Sequence, residues 1–149
     1  MLNLGFYLER LDDQIMALIS QEINRAKQAN KLEDVSIFYD NIGPVNLPVE
    51  AGFFNATDVW NFTGNLVVFT MPTLDKAIKY INNYNIYYCY GWANAAVLEM
   101  LHLLDKQKIS VIGRNDNASK NFFRVTNTHT IGANDNLIGL VDTILGHES

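Results

Sequence analysis

The run Asn85-Ile86-Tyr87-Tyr88-Cys89-Tyr90-Gly91-Trp92 constrains the fold more than any other stretch of this chain. It is apolar or aromatic at both alternating sets of positions, so as a strand it must be covered on both faces. Helical periodicity precedes it at Leu74, Ala77, Ile78 and Ile81, and resumes after it at Val97, Met100, Leu101 and Leu104. A doubly covered strand between two helices is one rung of a strand–helix series. Such a series requires a parallel sheet with right-handed crossovers.

The rest of the chain repeats that rhythm. Leu2 to Leu8 reads as the first strand, with Glu9 and Arg10 at its carboxyl end and Asp12 or Asp13 as the next helix cap. Ile15, Leu18, Ile19, Ile23 and Ala26 recur at helical spacing to about Asn30. Val35 to Tyr39 is the second strand, followed by Asp40 and Asn41 and broken at Gly43-Pro44. Residues 42–64 stay open. Pro44 and Pro48 keep their start extended, and Gly52 to Asn55 reads as a short extra strand or as a loop. Thr57 to Phe62 reads as one or two helical turns that pin aromatics onto the sheet. A connection this long is either functional or a degenerate crossover helix.

Leu66 to Thr70 is the third strand, and Pro72 suits the first turn of a helix. Asn85 to Trp92 is the fourth, and Ile109 to Ile112 the fifth, stopped by Gly113-Arg114-Asn115-Asp116. Residues 117–125 read as helix and Thr128 to Ile131 as a short edge strand, before a closing helix with Leu137, Ile138, Val141, Ile144 and Leu145. The expected fold is a single Rossmann-like or flavodoxin-like α/β domain over residues 1–149. Its sheet is mostly parallel, with five or six strands flanked by helices.

Composition excludes several function classes. The 149 residues, 48% hydrophobic and 18% charged, suit one soluble globular domain with a real core. A net charge of −5 without a basic stripe argues against a nucleic-acid partner, while leaving room for a local cationic pocket. No stretch approaches the ~18–20 apolar residues of a membrane span, and the amino terminus lacks the features of a secretion signal. The expected location is cytoplasmic, with no membrane partner. Cys89, the one cysteine, reads as a small buried hydrophobe.

In such sheets ligands bind beyond the carboxyl ends of the strands, where strand order reverses. Candidates are Glu9 and Arg10, Asp40 and Asn41, Thr70 and Thr73, Gly91 and Trp92, and Arg114, Asn115 and Asp116. An order of 3-2-1-4-5 would bring Glu9, Arg10, Gly91 and Trp92 nearest the reversal. Each also has a structural reading: Glu9 and Arg10 as a solvated loop pair, Trp92 as a cap on the core, Asn115 or Asp116 as a helix N-cap. Arg114 is the most suggestive, because an arginine beside helix-terminal amides binds phosphate or carboxylate.

No GxGxxG, P-loop, GxSxG or HExxH motif occurs. His102, His129 and His147 are dispersed, so no metal site is suggested. Neither a catalytic set nor a cofactor is legible.

Four stretches in order carry a resemblance: Asp34 to Asp40, Phe53 to Gly64, Ile86 to Trp92, and Ile112 to Asp116. Together they resemble glycosyltransferase-like proteins of marine phages and bacteria, whose Rossmann-like half is similar to that of GT-B enzymes. The resemblance covers most of residues 34–135 and implies binding of a sugar nucleotide or a glycan acceptor. The chain departs from the pattern at Gly91-Trp92-Ala93-Asn94, where the family has an acidic, tryptophan-containing segment. A complete GT-B enzyme also has two such domains, so the resemblance implies a lone acceptor-type domain, a relic, or half of a composite site made by dimerisation. The alternative is a non-enzymatic homodimeric interaction module, motivated by the aromatic segment Phe53 to Phe62.

Overall fold

The computed structural model describes residues 1–11, 13–42, 51–79, 83–92 and 109–148. Seven strands form one sheet in the order β3-β2-β1-β4-β5-β6-β7, and every neighbouring pair is parallel. They are β1 (Leu2–Leu11), β2 (Leu32–Ile42), β3 (Gly52–Asn55), β4 (Thr63–Val68), β5 (Asn83–Tyr90), β6 (Ile109–Gly113) and β7 (Gly132–Ala133). The described helices are α1 (Asp13–Gln28), α2 (Met71–Lys79), α3 (Asp116–Thr126) and α4 (Leu140–Glu148), with 3-10 turns at Ala56–Asn61 and Asp135–Leu137. The α/β class and parallel sheet are as expected. The strand count exceeds five or six because the open segment also pairs, Gly52–Asn55 beside β2, while the expected edge strand at Thr128 to Ile131 lies a little later, at Gly132–Ala133 beside β6.

The alternation in β5 explains its two-sided burial. Tyr87 and Cys89 enter one apolar layer, and Ile86 and Tyr88 enter the other. The first layer packs under α1 and α4, and the second under the turn at Ala56–Asn61, α2 and α3. Chain direction across the sheet reverses between β1 and β4, so right-handed crossovers put α1 and α2 on opposite faces. In α1, Met16, Ile19, Ile23 and Ala26 form the buried stripe. That helix ends at Gln28 and is closed by Asn30, whose φ of 56° lets the Asn30 and Lys31 amides bond back to the Lys27 and Ala26 carbonyls.

Strand order, left open by the sequence, differs from the 3-2-1-4-5 arrangement considered above. The strand read as third, β4, pairs directly with β1, and β5 lies one place further out. The edge beyond β2 is taken by β3 instead, so the reversal lies between β1 and β4. Boundaries move too, since β1 runs to Leu11 and β2 to Ile42, placing Glu9, Arg10, Asp40 and Asn41 within strands. The turn at Ala56–Asn61 buries Ala56 and Val59 and leads Phe62 into the core, but leaves Trp60 55% exposed. Ile138, expected in the closing helix stripe, is exposed, because positive φ at Asn136, Leu137 and Gly139 delays α4 until Leu140.

Asp12, Gly43, Pro44, Pro48, Ile81, His102 and the expected helix with Val97, Met100, Leu101 and Leu104 lie outside the described residues. Among the described residues, no helix is long and apolar enough to cross a membrane.

Candidate functional site

A cleft of about 330 Å³ opens at the carboxyl ends of β1 and β4, where the sheet order reverses. Glu9 and Arg10 at the end of β1, Thr70 and Thr73 at the start of α2, and Trp92 and Arg114 after β5 and β6 all line it. Its volume falls in the range typical of small-molecule sites.

The β1–β4 side is built by a reciprocal cap. Thr70 follows β4, and its carbonyl accepts the Leu74 amide as α2 begins. The Thr73 amide donates to Thr70 Oγ1 (3.4 Å) and the Thr70 amide to Thr73 Oγ1 (3.3 Å), a threonine version of the capping box. Thr70 Oγ1 also donates to Glu9 Oε1 at 3.0 Å, tying the end of β1 to the start of α2. Tyr7, two residues earlier, donates to Asp40 Oδ1 at 2.9 Å, and Lys76 pairs with the other Asp40 oxygen at 3.2 Å. Asp40 is therefore a brace behind the cleft.

The β5–β6 side is aromatic and cationic. The Arg114 amide donates to the Tyr90 carbonyl at 2.9 Å, joining the turns that follow the two strands. The Arg114 guanidinium lies 4.3 Å from the centroid of the Trp92 ring. Trp92 in turn packs edge-on against Phe69, with centroids 5.8 Å apart. An arginine held over an indole face keeps its donor fork positioned, which reduces the entropy lost on meeting a carboxylate or phosphate. The Trp92 Nε1 is buried and has no hydrogen-bond partner among the described residues.

Of the eleven candidates named from sequence, the fold brings six together at the cleft: Glu9, Arg10, Thr70, Thr73, Trp92 and Arg114. Asp40 and Asn41 lie at the end of β2, and the other three have local backbone roles. Gly91 has φ of +106°, and a Cβ there would lie 3.0 Å from Ala118 and 3.1 Å from Arg114, so the turn requires glycine. Asn115 caps α3, its Oδ1 accepting the Ala118 amide at 2.8 Å. Asp116 is exposed in the first turn of that helix, where a carboxylate suits the helix dipole. Tyr7, Gln14, Ile15 and Phe69 also line the cleft, and only the strand order would have pointed to them.

Two arginines against one glutamate make the described lining net positive, in a chain whose net charge is −5. No carboxylate pairs with Arg10 or Arg114 among the described residues. The arrangement can hold an anionic group between guanidinium donors and offer Glu9 and Thr70 to hydroxyls. Among the described residues there is no cluster of three or more histidine, cysteine or acidic side chains that could hold a metal. Cys89 is fully buried, and burial pushes its thiol well above the usual range, which makes it inert packing. His129 stacks on Phe123, and His147 meets Ser110 at 3.0 Å, both away from the cleft.

No known protein family matches the chain, and no curated protein or solved structure does either.

Proposed function

We propose that this chain is a glycosyltransferase-like binding domain whose cleft takes a sugar phosphate, either free or as the sugar–phosphate part of a sugar nucleotide. The observation that carries this reading is the oriented Arg114, lying on Trp92 over the same cleft as Arg10, Glu9 and Thr70. Guanidinium forks recognise phosphate bidentately, and a carboxylate beside hydroxyls suits a polyol. The cleft's one described carboxylate, Glu9, has no second acid or histidine among the described lining residues to form an acid–base pair. Binding therefore fits the site better than turnover.

A thermal-shift panel of UDP-, GDP- and ADP-sugars with the corresponding sugar phosphates tests it. A ligand at ten times its Kd stabilises by about 1.4 kcal/mol, which raises the melting temperature by roughly 3–6 °C. No shift with any member at millimolar concentration removes the proposal.

A further inference from the structure

Residues 32–75 contain no lysine or arginine but six carboxylates: Glu33, Asp34, Asp40, Glu50, Asp58 and Asp75. The rest of the chain sets ten carboxylates against eleven cations, so the net charge of −5 originates entirely in this stretch. It builds β2, β3, the 3-10 turn and β4, one flank of the sheet. At the amino ends of β1, β2 and β4, away from the cleft, this flank opens a groove of about 430 Å³.

The groove has an aromatic wall and an acidic rim. Phe54 is 41% exposed and meets the buried Phe38 at 5.7 Å between ring centroids, and Phe38 meets Phe62 edge-on at 5.6 Å. A Cβ at Gly5 would lie 2.8 Å from the Phe62 ring, so glycine on β1 lets that ring lie against the strand. Asp34 and Asp58 line the groove, both exposed, and neither pairs with a cation among the described residues. Apart from Asn3, every described lining residue belongs to the cation-free stretch. An anion is repelled here. A divalent metal would prefer a cluster of three or more acidic or imidazole ligands, which the described residues lack. A cation with an apolar body matches both walls, since ammonium groups favour aromatic faces and carboxylates together.

We propose that this groove binds an organic ammonium cation, seated against Phe54 between Asp34 and Asp58. The site is independent of the phosphate-binding cleft. The test is an amide NMR titration at constant ionic strength with choline, with 1,5-diaminopentane, and with 3,3-dimethylbutan-1-ol, the uncharged counterpart of choline. At least one amine should give saturable millimolar shifts centred on Asp34, Ser36, Phe54, Asp58 and Asn61, and the neutral alcohol should not. Because all three altered side chains are exposed, D34N, D58N and F54A keep the fold, and each weakens amine binding about 2–5-fold. Silence from both amines overturns the proposal, as do equal shifts with the neutral alcohol or with magnesium. Shifts that instead track protein concentration, with growth in scattering mass, would assign the face to a second copy of the chain and also overturn it.

Discussion

The Thr70 hydroxyl donates to the Glu9 carboxylate at 3.0 Å across the line where the sheet reverses direction. This one contact joins the end of β1 to the cap of α2, so it fixes the β1–β4 wall of the cleft. T70V removes the Thr70 half of the reciprocal cap and the Glu9 contact together and should cost about 1 kcal/mol, in line with other lost N-caps. E9Q keeps an oxygen acceptor for Thr70 and should stay within about 0.5 kcal/mol of the parent. Urea titration of both variants checks this, and equal losses would mean that the charge of Glu9, rather than the bond, matters.

Arg114 should dominate anion affinity. A hydrogen bond to a charged group contributes about 1.5–3 kcal/mol, so R114A should weaken binding of a ligand found in the panel by roughly 10–150-fold. R114K keeps the charge but loses the fork and should recover only part of that. W92L leaves the cation in place and removes the surface that orients it, so it should fall between the two. Calorimetry on the three variants reads the order directly. Full rescue by lysine would show that the site senses charge alone.

Most of the fold was legible because two-sided burial and helical spacing are local signals. The Ile86–Tyr90 run announces its two covered faces, and Met16, Ile19, Ile23 and Ala26 announce theirs. Strand order was not legible, since it depends on pairing between residues far apart, such as Gly5 with Leu66. With β4 beside β1, Thr70 and Thr73 move to the reversal, while Trp92 reaches the cleft from one strand further out. Gly91 and Asn115 are conspicuous in sequence for a conformational reason, a positive φ and a cap, and such roles look like binding motifs until the backbone is seen.

Glu22 anchors the carboxyl-terminal helix. Its carboxylate is 2% exposed, accepts the Gly139 and Val141 amides at 3.1 and 2.8 Å, and holds Arg25 through both oxygens. Arg25 and Lys31 also pair with Asp142, and the Lys31 hydrogen bond holds that carboxyl below its usual range. E22A takes the acceptor from two amides, while Arg25 keeps Asp142, and should cost about 2–3 kcal/mol. Hydrogen exchange should show α4 losing protection first. The depressed Asp142 stabilises the fold above the ordinary carboxylate range and loses that contribution as pH falls through its lowered value. Its half-exposed position keeps this effect small, so E22A should lose far more stability at neutral pH than D142N.

Alkali should unfold the chain through its core. Burial pushes the Tyr87 and Tyr88 phenols up to about 12, against an ordinary value near 10. Both side chains are 1% exposed, one on each face of β5. A phenol whose folded value is raised stabilises the fold fully below pH ~10, and that stability is lost as pH rises toward ~12, because the unfolded chain releases the proton first. At about 1.36 kcal/mol for each pH unit of difference, the two phenols together withdraw on the order of 5 kcal/mol across that window. Cys89, on the same strand and raised by burial, adds to the loss from about pH 9 upward. Circular dichroism and phenolate absorbance should therefore fall into step, with two tyrosines ionising only as the helices are lost. Y88F should move the transition to higher pH. Ionisation of the Tyr87 and Tyr88 phenols near pH 10 with the dichroism intact would contradict the two-sided packing that makes β5 the centre of this fold.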